Sequence, residues 1–404
     1  LLGRIWQAPQ AVITMKRNTA GITADFVLEL KQTGVSGRLA GLAEFRSDTG
    51  TIDATLDFSA LEIAPFVTLI NSPPLQKIAL ANRQADGTLK LAVLADGRIG
   101  AAAFNLQGAA GHFNGYINLD PQGIEYKSGI TFEDLPSGLL VEAYPKIADW
   151  VKTDLPLSGV VAVSGAFDGY VETATFDLSG GAGALEIARI LSEPFLLESF
   201  RLRGTIEDDG ARINIAEATL DLPKGQVIMN ASATRVGADW SVRFDARGSD
   251  IPTNDVRKYW PLDAAKSARK WVVPNLQQGT IRESRVSLVA RITESDEIVT
   301  KIESLHGGLS VDGLEVNYFH PLPKATAARA DVTFTADRFD IAVLGGRLRD
   351  MSVDSGTVVI TDVSGYNPKI DIDIRVRGPL RTALTVLDSQ PLAFLDNLGL
   401  DPEA

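Results

Sequence analysis

The sequence predicts a mainly β protein, its antiparallel strands running as a meander broken by a few short helices. Three observations carry that prediction. Apolar and polar residues alternate strictly over much of the chain. In "PKIDIDIRVRG", Pro368 to Gly378, Ile370, Ile372, Ile374 and Val376 face one way while Asp371, Asp373, Arg375 and Arg377 face the other. Asp-Gly pairs punctuate the alternating runs at hairpin spacing, namely Asp86-Gly87, Asp96-Gly97, Asp168-Gly169, Asp209-Gly210 and Asp312-Gly313, and each is expected to be a turn. Helical signals are few, and they resemble one another.

In chain order, "ADFVLELKQ" (Ala24 to Gln32) and "TIDATLDFSA" (Thr51 to Ala60) read as strands. A helical block follows in "LEIAPFVTLINSPPLQKIALANRQADG" (Leu61 to Gly87), and a second in "YPKIADWVKTDLPLSG" (Tyr144 to Gly159). Strands resume with "ARINIAEATLDL" (Ala211 to Leu222) and "WSVRFDARG" (Trp240 to Gly248). The third block, "WPLDAAKSARKWVVPNLQQG" (Trp260 to Gly279), repeats the order of the second: aromatic, Pro, Trp-Val, Pro, Gly. Pro261 suits a first helical turn, where a missing N–H costs nothing. Ala264, Ala268, Trp271 and Val272 then form one apolar stripe, with Lys266, Arg269 and Lys270 off it. "SRVSLVARI" (Ser284 to Ile292), "ADVTFTADRFDIAVLGGRL" (Ala330 to Leu348) and "GTVVITDV" (Gly356 to Val363) are further strands, and a fourth block opens at Gly378. Self-similar helix–strand units mark an elongated repeat protein. The expected arrangement is one repeat segment over 1–404, with approximate units 1–60, 61–134, 135–250, 251–377 and 378–404. The chain opens without Met and stops inside an apparent block, so it reads as a segment of a longer protein.

Totals narrow the function. Hydrophobic residues at 45% and charged residues at 22% belong to a folded chain, not a disordered one. Lys+Arg 39 against Asp+Glu 51 gives −12, and the charges are scattered. Without a basic tract there is nothing to neutralise phosphates, which argues against nucleic acid as a partner. Zero cysteines exclude disulfides, thiolate zinc sites and a thiol nucleophile, while fitting either redox compartment. No apolar run reaches the ~18–20 residues of a spanning helix; "ALEIAPFVTLI" (Ala60 to Ile70) is short and carries Glu62.

Chemical motifs yield to plainer readings. His112, His306 and His320 are far apart and without a ligand pattern; "LHGG" places His306 in a turn and "FHPLP" puts His320 before Pro321. Asp371 and Asp373 share a face that Arg375 and Arg377 continue, the mark of a solvated strand and not of a calcium loop. "SGGAGALE" (Ser179 to Glu186) lacks the Lys-Ser/Thr of a phosphate loop and reads as a turn between strands. No Gly-x-Ser-x-Gly elbow is present. No enzyme, metal or cofactor is expected.

The apolar strand faces remain, and two coverings compete for them. In a sandwich a second sheet packs about 10 Å away; this is the commoner solution, because large bare apolar patches are rare. In an open trough the sheet curls and its lining stays free. The chain is poor in large aromatics, with Phe 16, Trp 5 and Tyr 7, and Trp150, Trp260 and Trp271 are spent in helical blocks, so sandwich cores would be aliphatic. Burying the four apolar side chains of "IDIDIRV" is worth roughly 6–12 kcal/mol, which hydrocarbon tails could supply in part.

From about Ile251 onward the chain resembles the AsmA-like family of envelope proteins, in particular the YhdP branch and its TamB relatives. The matching landmarks are Trp260-Pro261, Ala268-Arg269-Lys270-Trp271, Gly279, "VDGLEVNYFHPLP" (Val311 to Pro323), "ADVTF" (Ala330 to Phe334), "LGGRL" (Leu344 to Leu348) and "GPLRTALTVLDSQPL" (Gly378 to Leu392). Their order carries the resemblance, which covers 251–404; the residues before it share only the alternation and the repeated blocks. The resemblance implies an elongated, curled antiparallel sheet forming a hydrophobic groove, tethered to the inner membrane of a Gram-negative envelope and crossing the periplasm. Phospholipid acyl chains would be its partners, carried between inner and outer membrane. The lining expected on that basis is Ile370, Ile372, Ile374, Val376, Val332, Phe334, Val358, Ile360, Val286 and Leu288. Trp150, Trp260 and Trp271 read, on their own chemistry, as structural plugs where short helices dock on the sheet, in preference to contacts with lipid headgroups. Rival readings are a structural or regulatory envelope β-protein with closed sandwich domains, and a β-solenoid hydrolase of envelope polysaccharide.

Overall fold

The computed structural model describes residues 7–394, apart from 33–34, 63–72, 144–147, 189, 261, 263–265, 295–297, 364–367, 391 and 393. Antiparallel strands dominate it, as the alternation requires. They are β1 (Gln7–Arg17), β2 (Gly21–Gln32), β3 (Val35–Arg46), β4 (Ile52–Glu62), β5 (Gln84–Val93), β6 (Ile99–Gly108), β7 (Gly111–Leu119) and β8 (Glu125–Pro136). There follow β9 (Val151–Thr153), β10 (Pro156–Ala166), β11 (Val171–Gly180), β12 (Gly183–Ile187), β13 (Phe195–Leu197), β14 (Ser199–Glu207), β15 (Arg212–Asp221) and β16 (Gln226–Val236). The last are β17 (Asp239–Pro252), β18 (Leu276–Gln277), β19 (Thr280–Glu294), β20 (Ile298–Val316), β21 (Ala325–Thr335), β22 (Arg338–Leu348), β23 (Met351–Thr361) and β24 (Lys369–Arg377). The chain divides into two compact units, residues 1–185 with 199–214, and residues 186–198 with 215–404.

In the first unit the ladder runs from β1 through β8 in sequence order and on through β10, β11 and β14. In the second it runs β16, β17, β19, β20, β21, β22, β23, β24. Consecutive strands are mostly joined by tight turns, such as Asp96-Gly97, Asp168-Gly169 and Asp209-Gly210, which are turns as expected. Among the described residues β1 pairs in register only with β2, and β24 only with β23.

Short helices stand at one end of the strands. In the first unit they are Pro73–Ala81 and Ser137–Ala143. They touch, with Lys77 Nζ donating to the Glu142 carbonyl at 2.9 Å. Leu139 and Leu140 of the second helix pack on Phe113, Phe132, Leu135 and Leu157, a buried cluster that closes this end of β7, β8 and β10. In the second unit the helices are Val256–Tyr259, Lys266–Asn275 and Leu380–Asp388. Ile251, Ile281, Val311, Leu314 and Met351 are buried there, and so is Val386 of the last helix. Thr382 of that helix donates to Asp350 at 3.2 Å.

Bulges gather at the same strand ends. Ala60, Asp134 and Ala327 adopt left-handed φ values of 49°, 55° and 49° where the β4–β5, β8–β10 and β20–β21 registers slip. The extra residue returns Leu61 and Leu135 to the side that Phe58 and Phe132 already occupy, and a bulge bends the strand that carries it. Acceptors and donors fix the bulges: Asp86 Oδ1 accepts from the Ala60 N–H at 2.7 Å, and Ser158 Oγ accepts from the Asp134 N–H at 3.1 Å.

Several expectations are corrected. Asp86-Gly87 lies inside β5 and Asp312-Gly313 inside β20, so neither is a turn. Gly87 sits opposite Phe58, whose ring takes the space of a side chain. Gly313, with φ 72°, bends β20 at a register slip without reversing it. His306 is likewise a strand residue, paired with Ser287 and Thr335. The second helical block is helical only in part: a helix spans Ser137–Ala143, residues 144–147 lie outside the described residues, Ala148 is helical, and Val151–Thr153 and Pro156 onward are strand, with Leu157 paired with Leu135 in the capped cluster. Of the third block, Pro261 and Ala264 lie outside the described residues, as does most of "ALEIAPFVTLI" from Ala60 to Ile70.

Candidate functional site

Residues directly opposite one another in an antiparallel ladder point to the same side of the sheet, so the register decides which side each residue joins. In the second unit Ile370, Ile372 and Ile374 of β24 stand opposite Ile360, Val358 and Gly356 of β23, and Val376 opposite Val353. Ile360 and Val358 oppose Phe339 and Ile341, which oppose Phe334 and Val332. Phe334 and Val332 oppose Gly307 and Leu309 of β20, whose Gly307 and Leu305 oppose Val286 and Leu288. The lining residues expected from the sequence therefore all fall on one side of this sheet. Beyond them the same side continues through Ala246 and Phe244 to Met229 and Ala231.

The reverse side is polar. Asp371, Asp373, Arg375 and Arg377 occupy it on β24, opposite Val359, Thr357, Ser355 and Ser352. Ion pairs tie it together, including Arg338 with Asp340 at 2.6 Å and Arg377 with Asp354 at 3.3 Å. The Arg338 hydrogen bonds hold the Asp340 carboxyl below its ordinary range.

Cover on the apolar side is partial. Val286, Leu288, Val332, Phe334, Val358 and Ile360 are half-buried, and Ile370 and Ile372 are 57% and 64% exposed. Among the described residues of these strands full burial falls mostly at the helix-bearing ends; Ala290, two residues beyond Leu288 on the same side, is also buried. Were a second sheet packed over mid-strand, these residues would be buried as a sandwich core is. One charged side chain shares this side near the β16–β17 turn: Arg235 lies 5.5 Å from the ring of Trp240, its partner in register.

The three tryptophans lie at different depths. Trp150 is half-buried in the turn before β9, and Trp260 is half-buried at the end of helix Val256–Tyr259, which its N–H closes onto the Val256 carbonyl at 3.0 Å. Trp271, in helix Lys266–Asn275, is 44% exposed.

The sequence reading missed two parts of the site. First, the apolar side recurs in the other unit, where Phe26, Leu56, Leu89 and Phe104 lie on one side of β2, β4, β5 and β6. The signal was the same alternation, weakened by interspersed Ala and Gly. Second, aromatic rings on this side lie across glycines of the next strand. Phe26 faces Gly41, Phe58 faces Gly87, Phe104 faces Gly115 and Phe176 faces Gly204, and Phe334 faces Gly307 in the second unit. In each pair a Cβ on the glycine would come within 2.8 Å of the ring, and at Gly41, Gly87 and Gly204 a backbone carbonyl oxygen lies nearer still. Glycine within an alternating run was the visible sign.

Among the described residues no three His, Cys, Asp or Glu side chains are grouped to hold a metal ion, and no helix is long and apolar enough to cross a membrane. His112 has a carboxylate neighbour, with Nδ1 3.9 Å from Glu133, but both sit on the polar side among Asn105 and Asn114. Compared with known families, the chain matches the model described as YhdP protein over residues 103–398. No curated protein matches it.

Proposed function

Because the chain belongs to the YhdP family, we propose that the apolar sides of its sheets hold phospholipid by the acyl chains and let it pass between the membranes of a Gram-negative envelope. The observation that carries the reading is the half-covered mid-strand side, apolar from β16 to β24 and backed by a polar one. Hydrocarbon resting there removes apolar surface from water on both partners, at about 25 cal/mol per Å². The headgroup stays at the solvent edge, as an amphipathic ligand demands. Passage needs an unbroken lining, since each methylene returned to water costs about 0.8 kcal/mol. Register supplies that continuity without dependence on any single residue, because every strand contributes its alternate side chains. The reading contains no chemical step and no cofactor. It places the segment in the periplasm, with tethers to the inner and outer membranes supplied by chain outside the described residues.

Detergent-free purification from a Gram-negative host, followed by lipid mass spectrometry, tests it. The wild-type chain should carry phospholipid. Ile372→Asp, which sets a carboxylate on the apolar side at an exposed position, should lower the amount, whereas Asp371→Asn on the polar side should leave it unchanged. A chain that arrives free of phospholipid, or equal loads in both variants, would refute the assignment and favour a structural role in the envelope.

A further inference from the structure

We propose that three hairpin tips of the first unit form a docking site for a polypeptide segment that presents an aliphatic or aromatic side chain flanked by Lys or Arg. The proposal does not depend on the phospholipid reading.

Hairpin tips are ordinarily polar, because a turn meets water and favours Gly, Asn, Asp and Ser. Two tips of this unit follow that rule, with Asn18, Thr19 and Ala20 in one and Asp48, Thr49 and Gly50 in the other. The tips after β5, β7 and β10 do not. Ile124, Phe167, Ile99 and Tyr170 stand there, 62%, 56%, 46% and 45% exposed. Between Leu94, Ile99, Leu119 and Phe167 the tips leave an open cavity of about 340 Å³. It lies at the small end of ligand pockets and has room for a side chain, not for a large ligand.

Hydrogen bonds fix the arrangement. The Arg98 guanidinium donates to the Gln122 and Pro121 carbonyls, at 2.7 and 3.1 Å, and so ties the first tip to the second. The Phe167 N–H donates to the Ile124 carbonyl at 3.0 Å, tying the second to the third. The Phe167 ring also meets Tyr126, with centroids 5.4 Å apart. Inside the second tip Asp120 Oδ1 accepts from the N–H groups of Ile124 and Glu125, at 2.6 and 2.7 Å. A surface already held in place loses little freedom when a partner arrives. Ties alone would steady the sheet, but that task does not call for four large apolar side chains in water.

Charge selects the occupant. Asp96, Asp120 and Asp168 lie in the three tips. Asp208 and Asp209 adjoin the third, their N–H groups donating to the Glu172 and Val171 carbonyls at 3.0 and 2.7 Å. The cations here, Arg98 and Arg212, are each paired already, with Asp96 and Asp208 at 2.8 Å. An anionic leaflet would be repelled by such a rim, which lacks the clustered Lys and Arg that hold a protein to it. A segment with Lys or Arg on either side of an apolar residue meets both demands. Its anchor fills the cavity, and its flanks complement the acidic rim.

Binding of three dye-labelled peptides to the purified chain, read by fluorescence anisotropy at low salt, tests this. The probes are Lys-Lys-Leu-Phe-Lys-Lys, Glu-Glu-Leu-Phe-Glu-Glu and Lys-Lys-Ser-Ser-Lys-Lys, and the first should bind most tightly. Ile124→Ser and Phe167→Ser should each weaken it about fivefold or more, as loss of an anchor contact does. Leu80→Ser, at a 50% exposed residue of helix Pro73–Ala81, should leave it unchanged. Because Phe167 touches Tyr126, urea unfolding midpoints are measured alongside, and Ile124→Ser carries the test if Phe167→Ser does not fold. Either control peptide binding as tightly as the first, an equal loss in Leu80→Ser, or no binding of any peptide overturns the proposal. Flotation with vesicles of phosphatidylethanolamine and phosphatidylglycerol that Ile124→Ser abolishes also overturns it, in favour of a membrane surface.

Discussion

Met351 and Ile372 sit on the same side of neighbouring strands in one unit, and 2% of the first is exposed against 64% of the second. Both are apolar residues of alternating strands. Two things separate them: position along the strand, and a neighbouring strand on both sides of Met351 but on one side only of Ile372. Gly378, leading into helix Leu380–Asp388, lies against Met351, and that helix ties itself to Asp350 beside it. Mid-strand on β24 there is no such cover. The first unit repeats the contrast: Leu135 and Leu157 are buried under helix Ser137–Ala143, while Phe104 on the same side is 36% exposed. Alternation makes a side apolar. A helix decides whether that side becomes core.

If this is right, stability resides at the capped ends and the open middle is held for something else. The largest expected effect is therefore at the caps. Met351→Ala and Leu135→Ala should each cost about 2–5 kcal/mol, the range for emptying a sealed apolar site, measured by urea unfolding of the purified chain. Costs below about 1 kcal/mol at both positions would break the contrast.

Mid-strand truncations should fall below that. Leu288→Ala, at a half-buried position between Phe244 and Leu305, should cost about 1 kcal/mol, half the gain of full burial. Ile372→Ala should cost less than about 0.5 kcal/mol, as surface changes do. An effect at Leu288 equal to that at Met351 would mean the middle is core after all. The comparison sharpens if added phospholipid stabilises wild type more than Leu288→Ala, since a ligand that binds only the folded state raises its stability.

How much of this could be read from residues follows the same division. Period two in "IDIDIRV" placed Ile370 through Val376 on one side, and the register extended that side without exception to Val332, Val358 and Val286. Local pattern suffices there because a strand's two sides are fixed by its pleat. Long-range facts stayed hidden. Asp312-Gly313 has the composition of a hairpin turn, yet β20 runs through it, because a bulge needs the same left-handed residue that a turn needs. The extent of the second block was overread: Trp150 marks a turn and Pro156 onward is strand, while a helix comes from the plainer "SGLLVEA" of Ser137 to Ala143. The ring-on-glycine pairs were out of reach, since Phe334 and Gly307 are brought together only by the β20–β21 register.

The smallest expected effect belongs to the polar side and tests whether it is only a solvated back. Asp177 accepts two hydrogen bonds from Arg201, at 3.1 and 2.8 Å, and these hold its carboxyl below the ordinary value of 3.8. A carboxyl whose folded pKa is depressed adds stability above its unfolded pKa and loses it as pH falls through the folded one. Both groups are exposed, so screening keeps the contribution slight. Arg201→Met should thus unfold a little more readily than wild type near neutral pH, and the gap should close as the pH drops well below 3.8. Its phospholipid load should not change, because Arg201 and Asp177 share the side away from Phe176 and Leu202. A variant that lost lipid while keeping its unfolding midpoint would assign the charged side a part in holding the ligand, and the division between a working side and a wet one would have to be redrawn.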